Sequence, residues 1–216
     1  MLEKMGDFFD NRLNIYDEHQ LNCIESAHDF YCFTAENLPK KPGCTILDLG
    51  CGTGLELEYY FPLNSSAKIT GIDLAPGMLK RLKEKFSDKD ITLILGSYFD
   101  LPFGFEKFDA AVSVESLHHF TAEEKIPLYK KLRESLKPNG YFILTDYFSL
   151  SDEEELSHRN ELLRLKKEQG IDDSEFYHYD TPLTVQHEVE CLISAGFSSV
   201  EVLNKWRATH TLKASK

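Results

Sequence analysis

Ile46-Leu-Asp48-Leu-Gly50-Cys51-Gly52-Thr53-Gly54 joins a short apolar run to the start of a helix-like segment at Leu55. In an open α/β sheet the crevice beyond the carboxyl ends of the strands is where ligands bind. Glycine suits that position because it takes backbone angles other residues avoid and lets a ligand approach the main chain. The next apolar run, Lys68-Ile-Thr-Gly-Ile-Asp73, ends in an acid 19 positions after Gly54. A carboxylate there can accept hydrogen bonds from both hydroxyls of a ribose. Strand, glycine turn, helix, strand and terminal acid together point to an adenosine-containing cofactor.

The spacing narrows the cofactor further. A dinucleotide fingerprint, G-x-G-x-x-G/A, places its third small residue at position 55, where Leu55 stands. Asp48, two positions before the first glycine, disfavours a pyrophosphate and suits an ammonium group, directly or through water.

Outward from this loop, strand-like and helix-like segments alternate, the pattern of a mainly parallel sheet covered on both faces. Strands are predicted at 44–49, 68–73, 91–95, 108–114 and 141–146, and crossover helices at 55–61, 78–86 and 123–136. Lys137-Pro-Asn-Gly140 reads as a helix stop and turn. A last helix over 184–195, stopped by Gly196, precedes an antiparallel hairpin of 198–203 and 209–213 turning around Asn204. Two segments fall outside the alternation: an amphipathic helical stretch over 1–40 and a charged insertion over 150–183. Each is expected either to cover a ligand cleft as a lid or to pad the sheet, within a single domain spanning 1–216.

Asp-Leu-Gly-Cys-Gly-Thr-Gly54 followed by Gly-Ile-Asp73 resembles the class I S-adenosylmethionine-dependent methyltransferase family, by motif over about residues 40–146. The resemblance implies a Rossmann-like α/β fold: seven strands in the order 3-2-1-4-5-7-6, the seventh antiparallel, with helices on both faces. It implies S-adenosylmethionine as cofactor and S-adenosylhomocysteine as product. Asp48, Gly50 and Gly52 would hold the methionine end, with Cys51 and Gly54 in the same cofactor-binding loop, Asp73 the ribose, and Leu74 and Met78 would lie beside the adenosine. Ser97 stands where the family usually has an aspartate against the adenine amino group, which leaves that contact to Ser97 or Tyr98. Glu115, His118 and His119 follow the fourth strand, on the side that in the family faces the acceptor; Glu115 is expected to bind the cofactor, or to touch the acceptor or only bond neighbouring backbone. Either histidine could take an acceptor proton, since imidazole titrates near neutrality, or could serve only to pack the loop. Tyr16, with Arg12 and His19 behind it, resembles the tyrosine that closes over the cofactor in small-molecule members. Asp146, Tyr147 and the run Phe176-Tyr-His-Tyr-Asp180 are further pocket candidates. Asp152-Glu-Glu-Glu155 reads as a helix start rather than a metal site, and no metal is assigned.

Composition limits the partners. With 36 acidic against 24 basic residues the chain carries a formal charge of -12, so nucleic acid is a poor partner unless a local basic patch overrides the total. A small-molecule acceptor is expected, with the protein a monomer or homodimer. Five cysteines without a CxxC pair fit reduced thiols in the cytoplasm, and no stretch reaches the length of a membrane span or resembles a leader. Four alternatives remain, one of them a tRNA methyltransferase, which the acidic balance disfavours. The insertion and tail also look like the carboxy-S-adenosylmethionine synthase branch, a tRNA-modifying context, but no arginine occurs between Arg164 and Arg207. A binding module without turnover would share the loop, whereas a nicotinamide dehydrogenase is disfavoured by Leu55 and Asp48.

Overall fold

The computed structural model describes residues 1–172 and 175–216; Asp173 and Ser174, inside the predicted insertion, lie outside the described residues. Its centre is a seven-stranded sheet. The strands are β1 (Thr45–Leu49), β2 (Lys68–Asp73), β3 (Ile91–Leu95), β4 (Phe108–Val114), β5 (Leu136–Tyr147), β6 (Ser199–Trp206) and β7 (Thr209–Ser215). They lie in the order β3-β2-β1-β4-β5-β7-β6. Pairings among β1 to β5 are parallel, and β7 runs antiparallel to both β5 and β6. This is the topology that the family resemblance implied. The layering follows from the apolar runs, because strands buried on both faces need helices above and below.

The period-2 alternation of β1 sends Leu47 and Leu49 to one face and Ile46 and Asp48 to the other. On the first face lie α5 (Ala122–Ser135) and α7 (Val185–Ser194), through Leu128, Leu132 and Leu192. On the second lie α2 (Ala27–Asn37), α3 (Leu55–Tyr60) and α4 (Pro76–Lys85), through Phe30, Leu57, Tyr60 and Leu82. The amino-terminal stretch forms α1 (Met5–Cys23), and the charged insertion forms α6 (Asp152–Gln169), whose acidic first turn is capped by Ser151. Backbone bonds tie the two additions together: Met5 donates to Phe176 at 2.9 Å and His178 donates to Glu3 at 2.9 Å, around a Lys4–Tyr177 bridge.

Two turns differ from expectation. Lys137–Gly140 belongs to β5, where it bulges: Phe108 pairs with Leu136 and Ala110 with Tyr141, so four residues of β5 face one of β4. Proline ended the helix but did not prevent an edge of irregular strand from starting at once. The hairpin turns at Arg207 and Ala208, with Arg207 at φ 53°, while Asn204 sits beside a bulge inside β6. A polar asparagine suits that break in the ladder as well as it suits a turn.

Candidate active site

The glycine loop leaves β1 with three left-handed glycines, Gly50 at φ 71°, Gly52 at 47° and Gly54 at 73°. Gly50 and Cys51 donate their N–H groups to the Ile72 carbonyl at 2.9 and 3.2 Å, which folds the loop back over the end of β2. Asp73 then braces it. One carboxylate oxygen accepts from the Gly52 N–H and the other from the Ala75 N–H, both at 2.8 Å. Each carboxylate oxygen has a second lone pair beyond that bond.

The sequence-predicted residues separate into two groups. Gly50, Gly52, Asp73, Leu74, Met78, Tyr98 and Glu115 line one small cleft together with Tyr16, Phe9, Met5, Ser116 and His119. Asp48, Cys51, Gly54 and Ser97 are not in that wall. Asp48 is 1% exposed and points to the α3 face of the sheet, where its carboxyl meets that of Glu56. Burial, then the neighbouring Glu56 charge, pushes Asp48 well above the usual carboxylate range. The Cys51 thiol packs beneath Gly71, and Gly54 leaves room for Phe86 and Leu82 of the α4 region. Ser97 turns its hydroxyl to the Phe99 N–H at 3.1 Å and faces an outer groove with Asp100 and Glu175. Tyr98, by contrast, enters the cleft and reaches the Ser116 hydroxyl at 3.2 Å.

Next to the cleft lies a cavity of about 540 Å³. Phe9, Tyr16, Glu115 and His119 line both spaces, so the two are neighbours sharing one wall. Phe8, Ile15 and Ile24 supply apolar wall; Arg12, His19, His118, Tyr147, His178 and Asp180 supply polar groups. Arg12 is already engaged, donating to Glu3 at 2.9 and 3.1 Å and lying 3.7 Å above the Phe8 ring. Helix α1 is pinned over this region by two acids. Asp10 accepts from the Gly77 N–H at 2.9 Å, and Asp17 accepts from the Thr53 hydroxyl at 2.5 Å. Neither docking acid was legible as such, because each partner is decades of residues away.

The short 3-10 turn Leu117–His119 carries the histidine pair. Asp146, at the end of β5, accepts from Leu117 N–H at 2.8 Å and contacts His118 Nδ1 at 2.6 Å. Burial would lower the His118 pKa, but the charges of Asp146 and Asp180 raise it well above an ordinary imidazole. His119 is held low by burial and by the charge of His118. Glu115, with a left-handed φ of 49°, is pushed up to about 8 by burial and by Asp146. Asp180 approaches His119 Nδ1 at 3.0 Å and His118 Nε2 at 3.5 Å. In the sequence it is only the tail of an aromatic run, and a separation of 61 and 62 positions from His119 and His118 hides the contact.

Residues 46–140 match the family described as the methyltransferase domain. Over nearly the full length, 99% of this chain and 92% of the relative, the chain is 28% identical to carboxy-S-adenosyl-L-methionine synthase of Wolinella succinogenes. Residues 46–140 thus carry a methyltransferase domain, in agreement with the resemblance of the glycine loop to the S-adenosylmethionine-dependent methyltransferases. A second similar protein is the biotin biosynthesis bifunctional protein of Teredinibacter turnerae, 32% identical over 79% of this chain; the chain spans only 33% of that relative's length. Among solved structures, a candidate O-methyltransferase of Nostoc punctiforme superposes with a TM-score of 0.72 at 19% identity, covering 99% of this chain and 62% of that one. This methyltransferase-family fold therefore persists where sequence identity is low. S-adenosylmethionine is the cofactor of the family, and no helix among the described residues is long and apolar enough to cross a membrane.

Proposed function

We propose that this chain transfers the sulfonium methyl of S-adenosylmethionine to a small molecule held in the 540 Å³ cavity. The observation that carries the reading is the adjacency of the Gly50–Asp73 cleft to that cavity, with Phe9, Tyr16, Glu115 and His119 lining both. The donor set fits the cofactor: Asp73 has a lone pair on each oxygen for a ribose hydroxyl, and a Cβ at Gly52 would meet nothing nearer than the Tyr16 ring at 3.9 Å. The cleft beneath Tyr16, Phe9 and Met5 measures about 40 Å³, too little for a nucleoside. Helix α1 therefore acts as a lid that must lift for entry, and with the 150–183 insertion it forms the covers of one domain.

S-adenosylmethionine, when bound, supplies an electrophilic methyl, whose C–S bonding pair passes to sulfur as the acceptor lone pair forms the new bond. The protein's task is alignment and exclusion of water. Asp73 and the loop fix the cofactor, while Tyr16 and Phe9 close over it. Glu115, His118 and His119 orient the acceptor, whose proton leaves toward the His119 and Asp180 end of the cavity. The wall suits an acceptor bearing a hydroxyl or amine, since Glu115, Asp180 and the histidines offer it hydrogen-bonding partners while Arg12 is paired with Glu3. Its five free thiols support a reducing compartment, the cytoplasm.

Full-length similarity to a carboxy-S-adenosyl-L-methionine synthase favours a second reading. That product carries a carboxylate, and the Arg12 guanidinium, the one arginine lining the cavity among the described residues, is held by Glu3. Mass analysis of the products separates the two: methyl transfer yields S-adenosylhomocysteine, and the synthase a carboxylated sulfonium.

Calorimetric titration with S-adenosylmethionine, S-adenosylhomocysteine and NAD tests the cofactor assignment. Binding of the two sulfur ligands alone is expected. Asp73→Ala should weaken it by about 1 to 3 kcal/mol, roughly 5- to 150-fold, through lost charge-assisted bonds. Asp73→Asn, which keeps the shape and one acceptor, should lose less. Unchanged affinity in both variants would remove Asp73 from the ribose.

A further inference from the structure

We infer that His118, His119 and Asp180 form a binding site for a divalent ion of the zinc group at the floor of the acceptor cavity. The inference rests on the reading of that cavity as the acceptor site and adds to it a ligand that the sequence did not suggest.

The three residues offer two imidazole nitrogens and one carboxylate oxygen within 4.8 Å of one another. His118 Nε2 lies 3.5 Å and His119 Nδ1 3.0 Å from the same oxygen, Asp180 Oδ1. Ligands about 2.0 to 2.1 Å from one zinc ion in a tetrahedral shell lie roughly 3.3 Å apart. The observed separations bracket that figure. Direction supports the same conclusion. Asp180 Oδ1 is shut off from solvent, yet it accepts no hydrogen bond despite the nearby ring nitrogens. Lone pairs that converge on a point between three atoms satisfy an ion there, whereas an N–H aimed past the oxygen satisfies nothing.

The surroundings match what holds a metal-bound imidazole. His118 Nδ1 contacts Asp146 at 2.6 Å, and that carboxylate is itself fixed by the N–H groups of Leu117 and Tyr147 at 2.8 and 2.9 Å. A carboxylate on the far nitrogen sets the ring tautomer and aims Nε2 at the ion. His119 Nδ1 would give up its long 3.3 Å contact with the Tyr179 carbonyl and carry its proton on Nε2. Two imidazoles and a carboxylate select zinc, iron, cobalt or nickel over magnesium, which prefers an all-oxygen shell. Three protein ligands leave a tetrahedral ion one open position. Directed into the cavity, it would take the acceptor oxygen or nitrogen and lower the pKa of a bound hydroxyl.

The test is calorimetric titration of the chelator-treated full chain with Zn²⁺ and with Mg²⁺, in a Cys23→Ser, Cys32→Ser background that removes the two thiols nearest solvent. One Zn²⁺ per chain with micromolar or tighter affinity, and no binding of Mg²⁺, is expected. His119→Ala and Asp180→Asn should each abolish it, Asp146→Asn should weaken it about 10- to 100-fold, and His28→Ala should leave it intact. Circular dichroism of each variant checks folding, and Asp180→Asn is conservative enough to stand alone. Absence of zinc binding, or binding that survives both His119→Ala and Asp180→Asn, would overturn the site. A parallel S-adenosylmethionine titration keeps the two readings apart: its failure would sink the methyltransferase assignment while leaving the metal result to stand by itself.

Discussion

Glu188→Ala is expected to destabilise the fold by about 3 to 5 kcal/mol, the range for removing one partner of a buried ion pair. Glu188 on α7 is fully buried and receives Lys125 Nζ of α5 at 2.5 Å; the Tyr129 hydroxyl donates to its other oxygen. Lys125 is 1% exposed, so alanine leaves an ammonium and a phenol without partners between two helices. Urea unfolding followed by circular dichroism would read the loss, and the thermal midpoint should fall by roughly 10 °C. A triple variant, Lys125→Met with Tyr129→Phe and Glu188→Leu, should recover most of it, because a packed apolar core can replace such a cluster. A loss below about 1 kcal/mol for Glu188→Ala would show that the cluster is hydrated rather than dry.

Gly50→Ala carries the second large effect. At φ 71° an alanine costs about 1 to 3 kcal/mol in backbone strain. Its Cβ would also lie 2.0 Å from Ser116 Oγ and 2.6 Å from Ser116 Cβ, adding about 1 to 3 kcal/mol of overpacking. Denaturation should show the sum, and titration should show cofactor affinity falling with it. Ser116→Gly in the same chain should return the overpacking part and leave the backbone part. If Ser116→Gly restores nothing, the loop moves aside more easily than its hydrogen bonds to Ile72 imply.

Local pattern explains what could be read in the sequence. Short β-branched and leucine runs specify strands, and a glycine turn followed by Asp73 specifies a loop beside a neighbouring strand, so the strands and the Asp73 position were legible, whereas the sheet order came from the family resemblance. Facing was harder. Asp48 alternates with Leu47 and Leu49, and that period-2 pattern already places it on the opposite face, beneath α3 and beside Glu56; reading the loop as a string of ligands overlooked the pleat. The Glu188–Lys125–Tyr129 cluster was invisible because charged residues in amphipathic helices usually face water. Asp180 stayed hidden for a topological reason: it reaches the histidines only because the insertion folds back onto the turn after β4. Helix ends moved by a residue or two where capping competes with the last turn, as at Ser135, where β5 begins with no intervening loop.

The bridge between Lys4 and Tyr177 has a kinetic corollary. A strap at the amino terminus and a strap some 170 positions later are fastened to one another, so neither side of the mouth can swing without unfastening the other. If the two act as the lid proposed above, cofactor exchange and acceptor exchange would share a single gate, and residence times of both molecules should lengthen or shorten together when that fastening is altered.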